Sequence, residues 1–511
     1  MGKRIVVNAG LTETRVAVQE NSQLVELYHE RHRQRSIVGS VYKGIVTNVL
    51  PGMQAAFVDI GLTKDAFLYA GDYTASLGED VRAVLAEEEP NGEADAEADV
   101  DVDEEPKREA TAPIAEMLRK GQTVLVQVSK ESLGTKGARI TAFISLPGRY
   151  LVYMPQTTHI GVSRRIKDDR ERDRLRQAIR ALNPPPGGYI VRTNAEGKGA
   201  EEFAADIAFL QRLWSQINTR NESTGAPAAL HEEMDLTFRV VRDLLSPEVD
   251  EFIVDSREVY DKCLGDAQVL VPALAERIKL YEGPTPIFEA HGLEREIEKA
   301  LRRRVWLKSG GYIVIDHTEA LVSIDVNTGK YVGKRDFEQT VLKINLEAAT
   351  EVVRQIRLRD LGGIIIIDFI DMEREEHRAE VEKALKKALA DDKARTNVLP
   401  ISELGLVEMT RKRVRQDLRA ALSAGCPTCR GSGVVRSDAT LTAEILRSVQ
   451  SKVAAQPGKD VLVRAHPELV QYLENDGRDA LARLGTSLGV KVGVQTAGGH
   501  PHREDYEIHL R

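Results

Sequence analysis

Two aspartates at the ends of apolar runs are the first residues to suggest chemistry. Tyr312-Ile-Val-Ile-Asp316 and Leu321-Val-Ser-Ile-Asp325 are separated by a short polar turn and read as a hairpin. A helix is expected from about residue 336, with Leu342, Leu346, Ala349, Val353 and Ile356 falling three or four apart as its buried stripe. Gly362 and Gly363 stop it, and 364–367, four isoleucines, read as a fully buried strand ending in Asp368. Asp325 and Asp368 thus each terminate an apolar strand, with a crossover between them, and sites in open α/β sheets lie beyond the carboxyl ends of strands. Two carboxylates brought together there repel each other unless a cation lies between them, and hard oxygens favour Mg²⁺. Asn327, two residues past Asp325, projects to the same side and is placed to orient water or phosphate. Asp371 is either a further member of the site or the cap of the next helix. Strand ends also attract Asp for solvation alone, so it is the pair that carries weight.

Other residues suggest binding rather than turnover. Phe57 and Phe67 lie on predicted strands, with Lys130 and Lys136 near later strands of the same region. Exposed aromatics would stack on unpaired bases while lysines hold phosphates; buried ones would simply fill a core. Arg192-Thr193 follows the run Tyr189-Ile-Val191 and precedes a loop with Gly197 and Gly199. An arginine fork, a hydroxyl and loop amides can hold a terminal phosphate, although exposed Arg-Thr pairs are common. Cys426-Pro-Thr-Cys429, followed by Gly431 and Gly433, is a turn on which two thiolates can converge. Structural Zn²⁺ needs four ligands, and this turn supplies two. Cys263 is far off in sequence, and no histidine follows until His466. The missing pair is most simply the same turn of a second subunit across a two-fold axis. A redox pair is the rival, though the motif is expected to follow a long charged helix rather than a strand; an inert reduced pair is the plainest alternative.

The elements around these residues divide the chain. Runs at 4–7, 15–19, 40–50, 55–61, 66–68, 123–129 and 138–143 read as short strands between glycine turns, the later ones as a small OB-type barrel. Between Glu87 and Glu105 there are eleven acidic residues and no basic ones, a tract expected to be a disordered loop inserted in the barrel and dispensable for folding. Without it the formal charge moves from −8 to +3, a mildly basic body compatible with a polyanionic substrate. A charged helix is expected over about 168–182, stopped by the prolines at 184–186. Residues 237–300 read as strand then helix, 301–422 as alternating strand and helix, and a small mixed α/β unit follows from about residue 441. With 511 residues, 42% hydrophobic, several cores are expected; no apolar run is long enough for a membrane span. The start lacks a signal peptide's apolar core, and three cysteines make no disulfide framework, so a cytoplasmic location is expected.

Ser323-Ile-Asp-Val-Asn327 and the run from Arg357 to Met372 resemble the catalytic core of the ribonuclease E/G family. Ala55-Ala-Phe-Val-Asp-Ile-Gly61, Phe143-Ile-Ser-Leu-Pro-Gly148 and the cysteine turn are similar to further segments of that family, and only the acidic insert departs from it. The resemblance implies an endoribonuclease cutting single-stranded, A/U-rich RNA to 5′-phosphate and 3′-hydroxyl ends, in rRNA and tRNA processing and mRNA decay. It places the Mg²⁺-binding aspartates on Asp325 and Asp368 and their supporting asparagine on Asn327. It places RNA contacts on Phe57, Phe67, Lys130, Lys136 and Arg395, and a 5′-monophosphate pocket on Arg192, Thr193, Val152, Gly148 and Arg164. It also implies a Zn²⁺ ion shared through Cys426 and Cys429, making a homodimer or a homotetramer. The implied α/β architecture is an RNase H-like subdomain at 1–36 and 237–300, interrupted by an OB-fold barrel at 37–141 and a 5′-sensor region at 142–236. A DNase I-like catalytic subdomain at 301–422, a zinc-link at 423–437 and a small α/β domain at 438–511 complete it. The length is similar to the family's shorter form, so no large scaffold tail is expected. Two rival readings are a non-catalytic RNA-binding scaffold and a metal hydrolase acting on DNA.

Overall fold

Alternation of buried and open side chains along short strands builds three sheets and a barrel in the first of two compact units, Met1–Arg419 and Ala420–Arg511. The computed structural model describes residues 2–33, 35–73, 112–131, 137–163, 165–329, 337–390, 392–402, 404–413, 415–429, 431–497 and 502–511. The acidic tract, Lys136 and Arg164 lie outside the described residues.

The chain starts as a meander, Lys3–Ala9, Glu13–Glu20 and Gln23–Arg31, and the same sheet is completed by Val249–Val254 and Ile278–Leu280 on its other side. Everything between 31 and 249 is therefore inserted into one sheet. Residues 237–300 differ from the strand-then-helix expectation, because a helix, Leu236–Asp243, precedes the strand. Asp235 caps it by accepting from the Phe238 amide at 3.1 Å, and its buried Val240 and Val241 fix it to the sheet.

The barrel is made by Val41–Leu50, Ala55–Asp59, Ala66–Tyr69, Arg139–Thr141 and Thr123–Lys130, closed by pairing of the first with the last. Closure leaves those two strands no free edge against each other and turns Ala56, Val58, Ala66, Leu68, Val126 and Ile140 inward. The approach is tight at Gly44, where a Cβ would stand 2.4 Å from Val58 Cγ1. A four-stranded sheet follows, with helices Asp169–Ala181 and Ala200–Ser223 packed on it.

The last sheet of this unit runs Arg304–Trp306, Tyr312–His317, Leu321–Asn327, Gly363–Asp368, Leu406–Arg411, Thr396–Val398. Helices Phe337–Arg359 and Glu375–Leu389 cover one face, burying Ile313, Ile315, Ile324, Val326, Ile365, Ile367 and Met409. The other face is open. Ile364 and Ile366 are only half-buried, so the isoleucine strand is not enclosed on both sides as expected. The residue that ends the long helix is Asp360, left-handed at φ 51°, rather than the following glycines. Its carboxylate accepts from Arg411 at 2.8 Å and Arg415 at 2.6 Å. Beside it Arg357 bridges Glu26 at 2.9 Å and Glu20 at 3.0 Å, and Lys393 reaches Glu26 at 3.0 Å, so a partly buried ionic seam joins the first sheet to the long helix and to the loop at Lys393.

The second unit packs helices Asp438–Ala455, Pro467–Glu474 and Arg478–Leu488 on strands Val492–Thr496, Val461–Ala465 and Tyr506–Leu510. The helix before the cysteine turn is the short Leu418–Leu422, not the long charged one expected, because the charged run 411–417 is taken up by a strand end and loop.

Candidate active site

The parallel strands Leu321–Asn327 and Gly363–Asp368 pair in register, which sets Asp325 directly opposite Asp368. Directly opposed residues share a face, and here it is the open one. Both carboxylates are exposed, and Asn327 Nδ2 donates to Asp325 Oδ2 at 2.7 Å. Burial, then the charges of Asp325 and Asp371, push the Asp368 carboxyl up. The second part of that push comes from negative charges held close together. Arg303, bonded to Asp316 at 2.5 Å, lies near enough to Asp325 for the two charges to interact.

The chain beyond Asp368 is pinned from below. Buried Asn345, on the long helix, donates to Ile370 O at 2.8 Å and accepts from its amide at 3.2 Å. Gly405, at φ 77°, would bring a Cβ within 3.5 Å of Asp371 Oδ1, so the opposite loop sits close over this segment. Asp371 does not cap the next helix, which starts at Glu375 with Arg374 at the cap position. Asn345 was not singled out in the sequence; its signal was a polar residue inside an apolar helical stripe.

Two carboxylates and one amide on an open face fit a hard divalent cation. Mg²⁺ keeps much of its own water and needs only one or two protein carboxylates. Among the described residues no group of three or more His, Cys, Asp or Glu side chains gathers to hold a metal, so no closed protein cage for an ion is present there. Arg395 is elsewhere. Its carbonyl accepts from the Lys412 amide, next to the Arg411–Gly363 end of the sheet, about 17 Å of strand away from the Asp368 end.

On the barrel, Phe57 and Phe67 face outward. They are opposed across strands, with ring centroids 5.5 Å apart, and Tyr69 continues the cluster at 4.5 Å from Phe67. Neither phenylalanine belongs to the barrel core. Arg139 pairs with Phe67 on one side and Lys130 on the other, so basic and aromatic side chains form one row across the strands. Arg139 also lies 5.0 Å from the Tyr69 ring centroid. Arg139 was missed in the sequence because the parallel pairing that brings it beside Phe67 spans the insert, and Tyr69, two residues along the same strand as Phe67, was not singled out.

Arg192 follows the strand Gly188–Val191 and donates to Gly148 O and to Asp243 Oδ1, both at 2.7 Å. Burial raises the Asp243 carboxyl, but Arg192 and Arg242 more than offset this and hold it well below the usual carboxylate range. Gly148 sits where a Cβ would meet both Asp206 carboxylate oxygens at 2.6 Å. That buried carboxylate accepts from the amides of Arg149, Tyr150 and Leu151 at 2.8 to 2.9 Å and so shapes the turn. Thr193 Oγ1 lies 3.4 Å from Ser163 Oγ, while Val152 is buried at 6% exposure. The structure thus gathers Arg192 and Gly148 directly.

Cys426 and Cys429 sit on an open turn in which Cys429 and Thr428 amides donate to the Cys426 sulfur, drawing its thiol down. The Ser432 amide and hydroxyl close the turn on Cys429 O at 2.9 and 2.8 Å. Such amide–sulfur geometry suits a thiolate. Cys263 is different: it is buried in the first unit's core, and burial pushes its thiol up to about 12.

The family model described as ribonuclease E/G family matches residues 145–414, and that described as RNase E/G, thioredoxin-like domain matches residues 425–510. Ribonuclease G of Escherichia coli (strain K12) is 43% identical over 495 residues, covering 97% of each chain. Ribonuclease G of Haemophilus influenzae is 41% identical over 496 residues, 96% of each. Ribonuclease E of Escherichia coli (strain K12) is 37% identical over 493 residues, 95% of this chain and 44% of that protein.

Proposed function

The chain belongs to the ribonuclease E/G family and is an endoribonuclease, and from that premise we propose that it hydrolyses single-stranded, A/U-rich RNA with Mg²⁺ at Asp325 and Asp368. The products carry 5′-phosphate and 3′-hydroxyl ends, and the work is processing of rRNA and tRNA and decay of mRNA. The observation that carries this reading is the in-register pairing of Asp325 with Asp368 on an open sheet face.

Asp325 and Asp368 would hold Mg²⁺, which when bound polarises water and offsets charge on the attacked phosphate. Asn327, bonded to Asp325, fixes the direction of that carboxylate. Asn345 holds the segment after Asp368, which keeps the second carboxylate in place. The outward Phe57 and Phe67, with Lys130 and Arg139, give unpaired bases a surface to stack on and phosphates a cation. Arg192 prefers substrates with a 5′-monophosphate by turning toward that dianion, assisted by Thr193, Gly148 and Val152. Its pairing with Asp243 keeps the guanidinium positioned until then. Lys136, Arg164 and Arg395 complete the contacts that the family resemblance implies.

In this reading the first unit comprises an RNase H-like subdomain carrying the barrel and 5′-sensor insertions, followed by a DNase I-like catalytic subdomain. Cys426 and Cys429 supply half of a Zn²⁺ site completed by a second copy, giving a dimer or tetramer in the cytoplasm. The test is incubation of the protein with 5′-monophosphorylated single-stranded RNA and DNA, with and without Mg²⁺. Cleavage of RNA alone, and only with the metal, is expected. Binding without cleavage would favour the scaffold reading, and cleavage of DNA the other hydrolase.

A further inference from the structure

The open face of the last sheet carries a second aromatic cluster that the mechanism above does not use. Trp306 pairs directly with Tyr312, and Tyr312 pairs directly with Asn327. Directly opposed residues in antiparallel strands point to one face, so the row Trp306, Tyr312, Asn327 lies on the same side as Asp325 and Asp368. Trp306 is 62% exposed, which is unusual for the largest apolar side chain. Its ring meets Tyr312 edge-on, with centroids 5.3 Å apart. Arg304 adds a guanidinium 4.4 Å from the Tyr312 centroid and 5.8 Å from that of Trp306.

We propose that Trp306 and Tyr312 are a base-stacking platform that seats a nucleotide flanking the scissile phosphate, with Arg304 on its backbone. The proposal rests on the catalytic reading of Asp325 and Asp368. Strand spacing puts Trp306 about 10 Å across the sheet from Asn327 and about 12 Å from Asp325. An extended strand crossing the carboxylates would therefore reach the platform within about two nucleotides. Aromatic faces with an adjacent arginine are the surface that recognises unpaired bases without reading their edges. The same composition recurs on the barrel row of Phe57, Phe67, Tyr69 and Arg139, so one strand can be gripped by stacking at two places. Trp306 and Tyr312 position substrate and do not touch the reacting atoms.

The chain has two tryptophans, Trp214 and Trp306, which makes the test direct. In full-length protein carrying Trp214→Phe and Asp325→Asn, only Trp306 emits and the strand stays whole. Titration with a short oligouridylate should quench that emission, saturating where anisotropy of a labelled strand reports binding. An oligomer with abasic sites should bind without the quench. In the otherwise unchanged enzyme, Trp306→Ala should lower kcat/KM about five- to fiftyfold, mostly through KM, with Trp306→Phe recovering most of it. Anisotropy that reports binding while Trp306 emission stays fixed would overturn the platform. So would emission that shifts on diluting the protein without RNA, since a second copy would then cover the face. Failure of the unsubstituted enzyme to cut RNA would instead sink the catalytic reading, so the two failures are distinguishable.

Discussion

Truncating Phe57 and Phe67 separates a binding surface from a core. Both rings project from the outer face of the barrel and touch each other and Tyr69 edge-on. Ala56, Val58, Ala66 and Leu68, their chain neighbours, fill the inside. A core phenylalanine cut to alanine costs about 3–5 kcal/mol through lost burial and a cavity. Here no enclosed cavity forms, and the lost ring contact is worth about 0.5–1.5 kcal/mol. Stacking of one base is worth about 1–3 kcal/mol, so RNA affinity should fall about five- to a hundredfold for each substitution. The pair of measurements is anisotropy with a labelled single strand in EDTA and urea unfolding of the same preparations. The chain has two units and need not unfold in one step, so the first transition is compared. We expect Phe57→Ala and Phe67→Ala to weaken binding strongly while moving the unfolding midpoint little. A large loss of stability with unchanged affinity would refute the outward-stacking argument.

Arg192→Ala should reduce the advantage of a 5′-monophosphate over a 5′-hydroxyl about ten- to a hundredfold, read as the ratio of cleavage rates, whereas equal loss on both substrates would mean a folding role. Glu26→Gln should destabilise by about 3–5 kcal/mol in denaturant at neutral pH, because it leaves buried Arg357 against a neutral partner and takes from exposed Lys393 its carboxylate. Burial raises the Glu26 carboxyl, but Lys393 and Arg357 outweigh it and hold it below the ordinary range. Its stabilisation is therefore complete above about pH 4.3 and lost as pH falls through the lowered value, and the gap between Glu26→Gln and the original protein should close there. Cys426→Ser should abolish about half a zinc per chain by mass spectrometry together with the dimer by light scattering; a metal-free original protein, or unchanged assembly in the variant, would contradict the shared site.

Much of the site could be read because its signals were local. The polar turn between Asp316 and Leu321 and the apolar stripe of the next helix suffice to put Asp325 and Asp368 at strand ends, and the strands are neighbours. The open face was less legible, since four consecutive isoleucines look the same whether one face or two are covered. Phe57 and Phe67 could not be assigned to the inside or outside from residue type; they pair with each other, and alternation with the inward Ala56–Leu68 pair decides it. Asp243, Asp206 and Arg139 were invisible because each acts through a contact across tens of residues. The glycines after the long helix drew attention away from Asp360, whose left-handed backbone is held by two arginines that follow it by about fifty residues.

In the function proposed above, the opposed carboxylates on the open sheet face hold the metal on which RNA cleavage depends. The most direct measurement is the cleavage rate of one 5′-monophosphorylated single-stranded RNA by the original protein, Asp325→Asn and Asp368→Asn, in Mg²⁺ and in EDTA, with binding followed in parallel. Each substitution keeps side-chain size and removes one negative charge from the pair, so rates should fall to the level seen in EDTA while RNA affinity is largely retained. Near-original cleavage by either variant, or undiminished cleavage in EDTA, would contradict a metal-holding role for the two aspartates.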